Sequence, residues 1–378
     1  MNVTYVTSYD ISDLQNWSGT GFYISKSLIE AGVSVEYIDK LENIISNVSK
    51  FKRLAYSHFG KKFDVFREPS ILKNYARQVE SRIKSDANIL FSPGTLPLAY
   101  VDSKLSKVVY ADATFASMVD FYDEFTNLSL ETIRHGNLIE QISLESAKMI
   151  IYSSDWAAKS AITDYHIDAA KIRVIPFGAN FVSNLTYSNI EAIVKRRTRS
   201  LCFNFLFAGV DWRRKGGDKA VLIVEKLREL GLNARLHVLG INHVPLLNIP
   251  DWITNYGYLN KSNSEGLSKI KELFENAHFF LLPTIADCTP IVFSEANSFA
   301  VPCISTDVGG ITSLIEGDIN GKIFDLDSSP SEYAEYLYAV LTNNKSYSEL
   351  ALSSYNSYLN KLNWTTSGKK IAEALSEI

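Results

Sequence analysis

Short runs rich in β-branched and aromatic residues alternate along the chain with longer stretches whose apolar positions recur every three or four residues. The first pattern suits strands buried on both faces and the second suits helices with one apolar stripe, so the alternation predicts parallel sheets covered by helices. In the first half the predicted strands are Val3 to Thr7, Val35 to Ile38, Ile89 to Ser92, Val108 to Ala111, Met149 to Tyr152 and Arg173 to Pro176. The first runs through a loop ending in Ser18-Gly19-Thr20-Gly21 into a helix with Phe22, Leu28 and Ile29 available for its buried side.

The pattern then restarts. Phe203 to Ala208 reads as a strand, Gly217 to Leu230 as a helix with Ala220, Ile223, Val224 and Leu227 on one stripe, and Arg235 to Leu239 as the next strand. Further strands are predicted at Phe279 to Leu282 and Cys303 to Ser305. The expected architecture is therefore α/β, with two Rossmann-like domains over 1–180 and 181–345, followed by a helical tail over 346–378.

Length agrees with that division, since 378 residues exceed the span of a single domain of about 150 residues. Hydrophobic residues at 46% and charged ones at 21% exclude a disordered or fibrous chain. A net charge of −4 leaves no basic footprint, so no nucleic acid is expected as a partner. Cys202, Cys288 and Cys303 are isolated and odd in number, which fits neither a disulfide framework nor a zinc site. The six histidines show no metal-ligand spacing either. The most apolar run, His278 to Ala286, is far shorter than the ~20 residues of a membrane span, and the first residues lack the basic and apolar blocks of an export signal. A cytoplasmic location is expected. Two basic stretches, Lys195-Arg196-Arg197-Thr198-Arg199 and Lys50-Phe51-Lys52-Arg53 to Lys61-Lys62-Phe63, each admit two readings: a solvated surface, or peripheral contact with an anionic membrane face.

The segment with most chemical content is Leu281-Leu282-Pro283-Thr284-Ile285-Ala286-Asp287-Cys288-Thr289-Pro290-Ile291-Val292-Phe293-Ser294-Glu295-Ala296. A buried strand ends near Leu282, a loop carries Asp287, and a helix is predicted to start with Thr289 as N-cap and Pro290 in the first turn. The amides of Ile291 and Val292 would then be free for a phosphate. Asp287 and Glu295 would repel that phosphate unless they point at its neighbours, which suggests the hydroxyl groups of a ribose and a sugar; the bland alternative makes them a loop cap and a surface residue. Upstream, Phe207-Ala208-Gly209-Val210-Asp211-Trp212-Arg213-Arg214-Lys215-Gly216-Gly217 places three consecutive cations between a strand end and a glycine-rich helix start. Cations there face the crevice in which open α/β sheets bind ligands, although a solvated loop is an equal reading of the cations alone.

Asp287 to Glu295, continued by Ala296-Asn297-Ser298-Phe299-Ala300-Val301-Pro302 and Val308-Gly309-Gly310, resembles the signature of glycosyltransferase family 4. Arg214-Lys215-Gly216, Val174-Ile175-Pro176-Phe177-Gly178 and Glu316-Gly317-x-x-Asn320-Gly321 fall where that family has counterparts. The resemblance implies the GT-B architecture, a nucleotide-diphosphate sugar as donor and the tail packing back toward the N-terminal domain. It implies transfer to an acceptor hydroxyl of a glycan, lipid-linked saccharide or small molecule, with retained anomeric configuration and no metal cofactor. By this resemblance Glu295 binds the ribose, Asp287 the transferred sugar, Ile291, Val292 and Thr289 the distal phosphate, and Arg214 and Lys215 the diphosphate. Gly19 and Gly21 would bring backbone close to phosphate or acceptor, and Asp112 stands where many relatives place a histidine near the reacting centre, where it would orient a sugar hydroxyl or, equally, cap a helix. Thr289-Pro290 and Asp287 depart from the commoner residues of the family. That departure keeps open a non-catalytic sugar-nucleotide-binding or partner-binding protein, and a sugar-nucleotide epimerase on the same fold is the other alternative.

Overall fold

The computed structural model describes residues 1–181 and 183–378. The chain divides into two compact units, Met1–Pro176 together with Trp364–Ile378, and Phe177–Asn363.

The first unit is built on six strands, β1 (Asn2–Val6), β2 (Ser34–Ile38), β3 (Ile89–Ser92), β4 (Ser106–Ala111), β5 (Met149–Tyr152) and β6 (Ile172–Val174), in the order β2-β1-β3-β4-β5-β6. The second has β7 (Phe203–Ala208), β8 (Ala234–Leu239), β9 (Ile253–Asn255), β10 (Phe279–Leu282), β11 (Cys303–Thr306) and β12 (Gly321–Phe324), in the order β12-β11-β10-β7-β8-β9. All the strand pairings are parallel. Each sheet therefore has a single carboxyl edge, and each reverses its winding once, between β1 and β3 in the first and between β7 and β10 in the second. Ligands of open α/β sheets bind at such reversals.

The central strands are apolar throughout because both faces are covered. Phe279, Phe280, Leu281 and Leu282 of β10 are fully buried, and Phe279 stacks on Phe205 of β7 with ring centroids 6.1 Å apart. The predicted stripe Ala220, Ile223, Val224 and Leu227 is fully buried on the helix Gly217–Glu229. On the helix Thr20–Glu30 the buried apolar residues are Ile24 and Leu28; Ile29, expected inward, is exposed because it lies off the 24/28 stripe. Strands β9 and β12 escape the apolar pattern, being short and lacking an apolar run.

The tail does not act as one piece. The helix Asn344–Asn360 buries Tyr347, Leu350, Ala351 and Tyr355 in the core of the second unit. Only the helix Trp364–Leu375 joins the first unit, where Ser367 donates to the carbonyl of Pro176 at 2.7 Å and Arg173 pairs with Glu377 at 2.8 Å.

The cationic run at 195–199 ends the helix Tyr187–Thr198. Arg197 is buried, and its guanidinium donates to the carbonyls of Phe274, Glu275, Phe299 and Ala300 at 2.7–3.1 Å. Arg196 reaches the Glu275 carbonyl at 3.2 Å. These cations satisfy carbonyls in the last turn of the helix Ser264–Asn276, groups a helix leaves without internal partners, and in the turn that follows the helix Ile291–Asn297. No helix among the described residues is long and apolar enough to cross a membrane.

Candidate functional site

Arg214 and Lys215 follow β7, and Asp287 follows β10. Because these strands flank the reversal point, residues distant in sequence meet at one place on the carboxyl edge. Lys215 donates its ammonium to Asp287 Oδ2, and Arg214 Nη1 lies 3.6 Å from the same oxygen. Asp287 and Lys215 retain only 9% and 11% of side-chain exposure, so the pair is shielded from water.

Backbone geometry holds the two loops together. Arg214 Nη1 donates to the Ala286 carbonyl at 2.8 Å, the Ile285 amide and the Thr284 hydroxyl donate to the Arg214 carbonyl at 2.8 and 2.9 Å, and Thr284 is fully buried. Gly216 has φ +76°, and a Cβ there would sit 1.9 Å from the Pro283 carbonyl oxygen, so only glycine permits this approach. Asp211 accepts from the Arg214 amide at 3.0 Å and lies 3.6 Å from its Nε. Arg213, Arg214 and Lys215 thus outnumber Asp211 and Asp287, which leaves a cationic balance beside the loop. Lys215 has three ammonium protons, of which Asp287 takes one, so the others can serve an anion.

The helix expected to begin at Thr289 and Pro290 spans Ile291–Asn297. Pro290 itself occupies the N-cap position with ψ 112°, an extended value, so the first turn starts one residue later and Thr289 is not the cap. Ile291 and Val292, expected as the second and third helical residues, are the first two. With seven residues the helix contributes only a short dipole, and the side-chain cations are the stronger source of positive potential here.

Glu295 is buried and accepts from Lys261 Nζ. The apolar pattern gives no sign of this partner, because Lys261 lies in a polar loop after β9, a strand without an apolar run of its own. Its ammonium also stands 5.6 Å from the centre of the Phe181 ring. Two carboxylates, Asp287 on the β10–helix connection and Glu295 within the helix, are thus each matched to a lysine from a different loop.

The candidates of the first unit are placed on its own carboxyl edge. Gly19 and Gly21 open the helix after β1, and Asp112 follows β4. Gly21 has a packing reason for its identity, since a Cβ there would lie 2.2 Å from the Tyr9 hydroxyl oxygen. Its carbonyl accepts from the Tyr5 hydroxyl at 2.8 Å. Gly19 has φ +80° and follows Trp17 and Ser18, both also left-handed. His237 and His278 are packed in the second unit, away from any catalytic pairing: His278 bridges the Asn204 amide and the Arg197 carbonyl, each at 3.1 Å.

Residues 200–356 match the family model described as glycosyl transferases group 1. The matched stretch lies within the second unit, Phe177–Asn363. The stretch contains Arg214, Lys215, Lys261, Asp287 and Glu295. The chain is also similar to a D-inositol 3-phosphate glycosyltransferase of Paenarthrobacter aurescens, at 24% identity over 205 residues, or 52% of this chain and 50% of that protein. It thus spans about half the length of that relative. Among solved structures it is similar in fold to sucrose-phosphate synthase from Thermosynechococcus elongatus (TM-score 0.70, 12% identity, 100% and 98% of the two chains covered). It is similar also to Anabaena Alr3699/HepE in complex with UDP and glucose (TM-score 0.64, 13% identity, both chains fully covered).

Proposed function

We propose that this protein transfers a sugar from a nucleotide-diphosphate sugar to an acceptor hydroxyl, with retention of anomeric configuration and without a metal cofactor. The observation that carries the reading is the cluster of Arg214, Lys215 and Asp287 at the winding reversal of the second sheet, inside the stretch that matches the family model. Departure of a diphosphate develops negative charge, and two preorganised cations stabilise it without further reorganisation. Arg214 offers a planar fork and Lys215 a compact charge.

In this reading Glu295 accepts hydroxyls of the donor ribose, and Lys261 holds its carboxylate in place. Asp287, fixed by two cations, accepts a hydroxyl of the sugar being transferred. The amides of Ile291 and Val292, with Thr289 beside them, meet the distal phosphate. The acceptor oxygen attacks the anomeric carbon on the face from which the diphosphate leaves; the bond from that carbon to the phosphate oxygen breaks, and the departing phosphate oxygen takes the acceptor proton. The protein positions and stabilises charge rather than supplying a nucleophile. Gly19, Gly21 and Asp112 would serve the acceptor side, a saccharide or lipid-linked saccharide.

HepE is described in complex with UDP and glucose, so UDP-glucose is the first donor to try, followed by other UDP- and GDP-sugars. Release of the nucleoside diphosphate only in the presence of an acceptor, with the product anomer read by NMR, supports the reading. Failure of every donor to bind or turn over would sink it, and an inverted product would remove retention alone.

A further inference from the structure

The helix Asn47–His58 wears its amphipathic pattern inside out. It is attached to the first unit through polar groups: Ser49 and Lys52 bind Glu68, Lys52 also binds Glu131 at 2.6 Å, and Tyr56 donates to Glu131 at 3.1 Å. Its large apolar residues point away from the body. Val48, Phe51 and Leu54 are 64%, 71% and 70% exposed, and Ile44 before the helix and Phe59 after it are 62% and 78% exposed. At about 100° per residue, positions 48, 51 and 54 share one side of the helix, while the anchoring positions 49, 52 and 56 share another. A core helix buries its apolar side; here that side is a contiguous apolar face in water.

The charge around this face has one sign. Between residues 47 and 63 there are Lys50, Lys52, Arg53, Lys61 and Lys62 and no acidic residue. Lys52 is committed to the anchor and Lys62 donates to the Asp123 carbonyl, while Lys50, Arg53 and Lys61 are exposed and have no ion-pair partner among the described residues. Exposed aromatic and aliphatic side chains flanked by exposed cations complement a surface that is apolar beneath an anionic layer. The other basic stretch does not compete for this role, because Arg196 and Arg197 are committed to carbonyls of the second unit.

We propose that the helix Asn47–His58, with Ile44 and Phe59 at its ends, docks the first unit on the surface of an anionic lipid bilayer, Phe51 and Leu54 entering the interface and Lys50, Arg53 and Lys61 meeting phosphate headgroups. The inference does not depend on the proposed glycosyl transfer.

The test is flotation of the full chain with vesicles of phosphatidylglycerol and phosphatidylcholine in equal parts, and with phosphatidylcholine alone. The wild type is expected to float with the anionic vesicles and not with the neutral ones. Phe51→Asp with Leu54→Asp, and separately Lys50→Glu with Arg53→Glu, are each expected to lower partitioning roughly tenfold or more. The second pair changes only polar side chains and keeps the test decisive if the first disturbs folding, checked by circular dichroism. Lys195→Glu with Arg199→Glu is expected to bind as the wild type does. Absence of wild-type flotation, equal flotation with neutral vesicles, or unaltered flotation of both helix variants overturns the proposal. A dimer in sedimentation that Phe51→Asp with Leu54→Asp dissolves, without vesicle binding, overturns it in favour of a second copy of the chain.

Discussion

Lys215 and Asp287 are 72 residues apart in sequence and share a hydrogen bond because their strands, β7 and β10, are neighbours in the sheet. Each is nearly buried, so removing Asp287 strands the lysine, and removing Lys215 leaves the carboxylate only Arg214, whose Nη1 is 3.6 Å away. Lys215→Ala is therefore expected to destabilise the second unit by about 3 kcal/mol, read from urea denaturation. If the proposed site is right it also raises the dissociation constant for UDP at least about tenfold by calorimetry. Asp287→Asn, which keeps the shape, is expected to reduce turnover more than UDP affinity, since its proposed partner is the sugar. Equal UDP binding by Lys215→Ala and wild type would remove the diphosphate role.

Gly216 sits between the two loops that carry this pair. Its positive φ, and the 1.9 Å that would separate an added Cβ from the Pro283 oxygen, mean that alanine must push the loops apart. Gly216→Ala is expected to cost roughly 2 kcal/mol or more in stability and to reduce UDP affinity although no charge changes. A variant as stable as the wild type would show that the loops accommodate the side chain.

The Lys261–Glu295 pair is asymmetric, with the lysine 35% exposed at its side chain and the glutamate 1%. Solvent screens the lysine, so the pair is worth less than a fully buried one. Lys261→Met strands a buried carboxylate and is expected to lose about 1–3 kcal/mol, whereas Lys261→Met with Glu295→Gln recovers part of that loss. Donor affinity follows a different order, falling in Glu295→Gln whether or not Lys261 is present. Additive stabilities in the double-mutant cycle would mean that the two residues are not energetically coupled.

Which parts of this molecule can be read from sequence follows from how each is built. Central strands such as Phe279–Leu282 are continuous apolar runs, and the cations and carboxylates at their carboxyl ends stand in short, glycine- or proline-marked loops, so Arg214, Lys215, Asp287 and Glu295 are visible as candidates. Edge strands Ile253–Asn255 and Gly321–Phe324 have few apolar positions, because an edge is only partly covered. Lys261 is hidden with the first of them. The helix at Ile291 starts one residue later than the Thr289-Pro290 pair suggests, since Pro290 fixes φ but takes an extended ψ. The basic run at 195–199 has the composition of a solvated surface, and only the fold reveals that Arg197 is committed to four carbonyls.

His278 gives the second unit a pH dependence that can be isolated. The side chain is 1% exposed; its Nδ1 accepts the Asn204 amide, so the ring proton is on Nε2, which donates to the Arg197 carbonyl. Burial, with the nearby Arg197 charge second, pushes its pKa down to about 3. The folded state thus keeps the ring neutral over a range in which the unfolded chain, titrating near the ordinary imidazole value, binds a proton. Stability from this residue is fully present above that ordinary value and is lost progressively as pH falls through it toward about 3. Between about pH 6.5 and 5 the loss amounts to about 2 kcal/mol. His278→Phe is expected to be less stable at neutral pH, since Asn204 and Arg197 lose partners, yet to show a shallower fall on acidification. Urea midpoints measured at several pH values for both proteins decide the matter, and parallel pH profiles would assign the acid sensitivity to carboxylates instead.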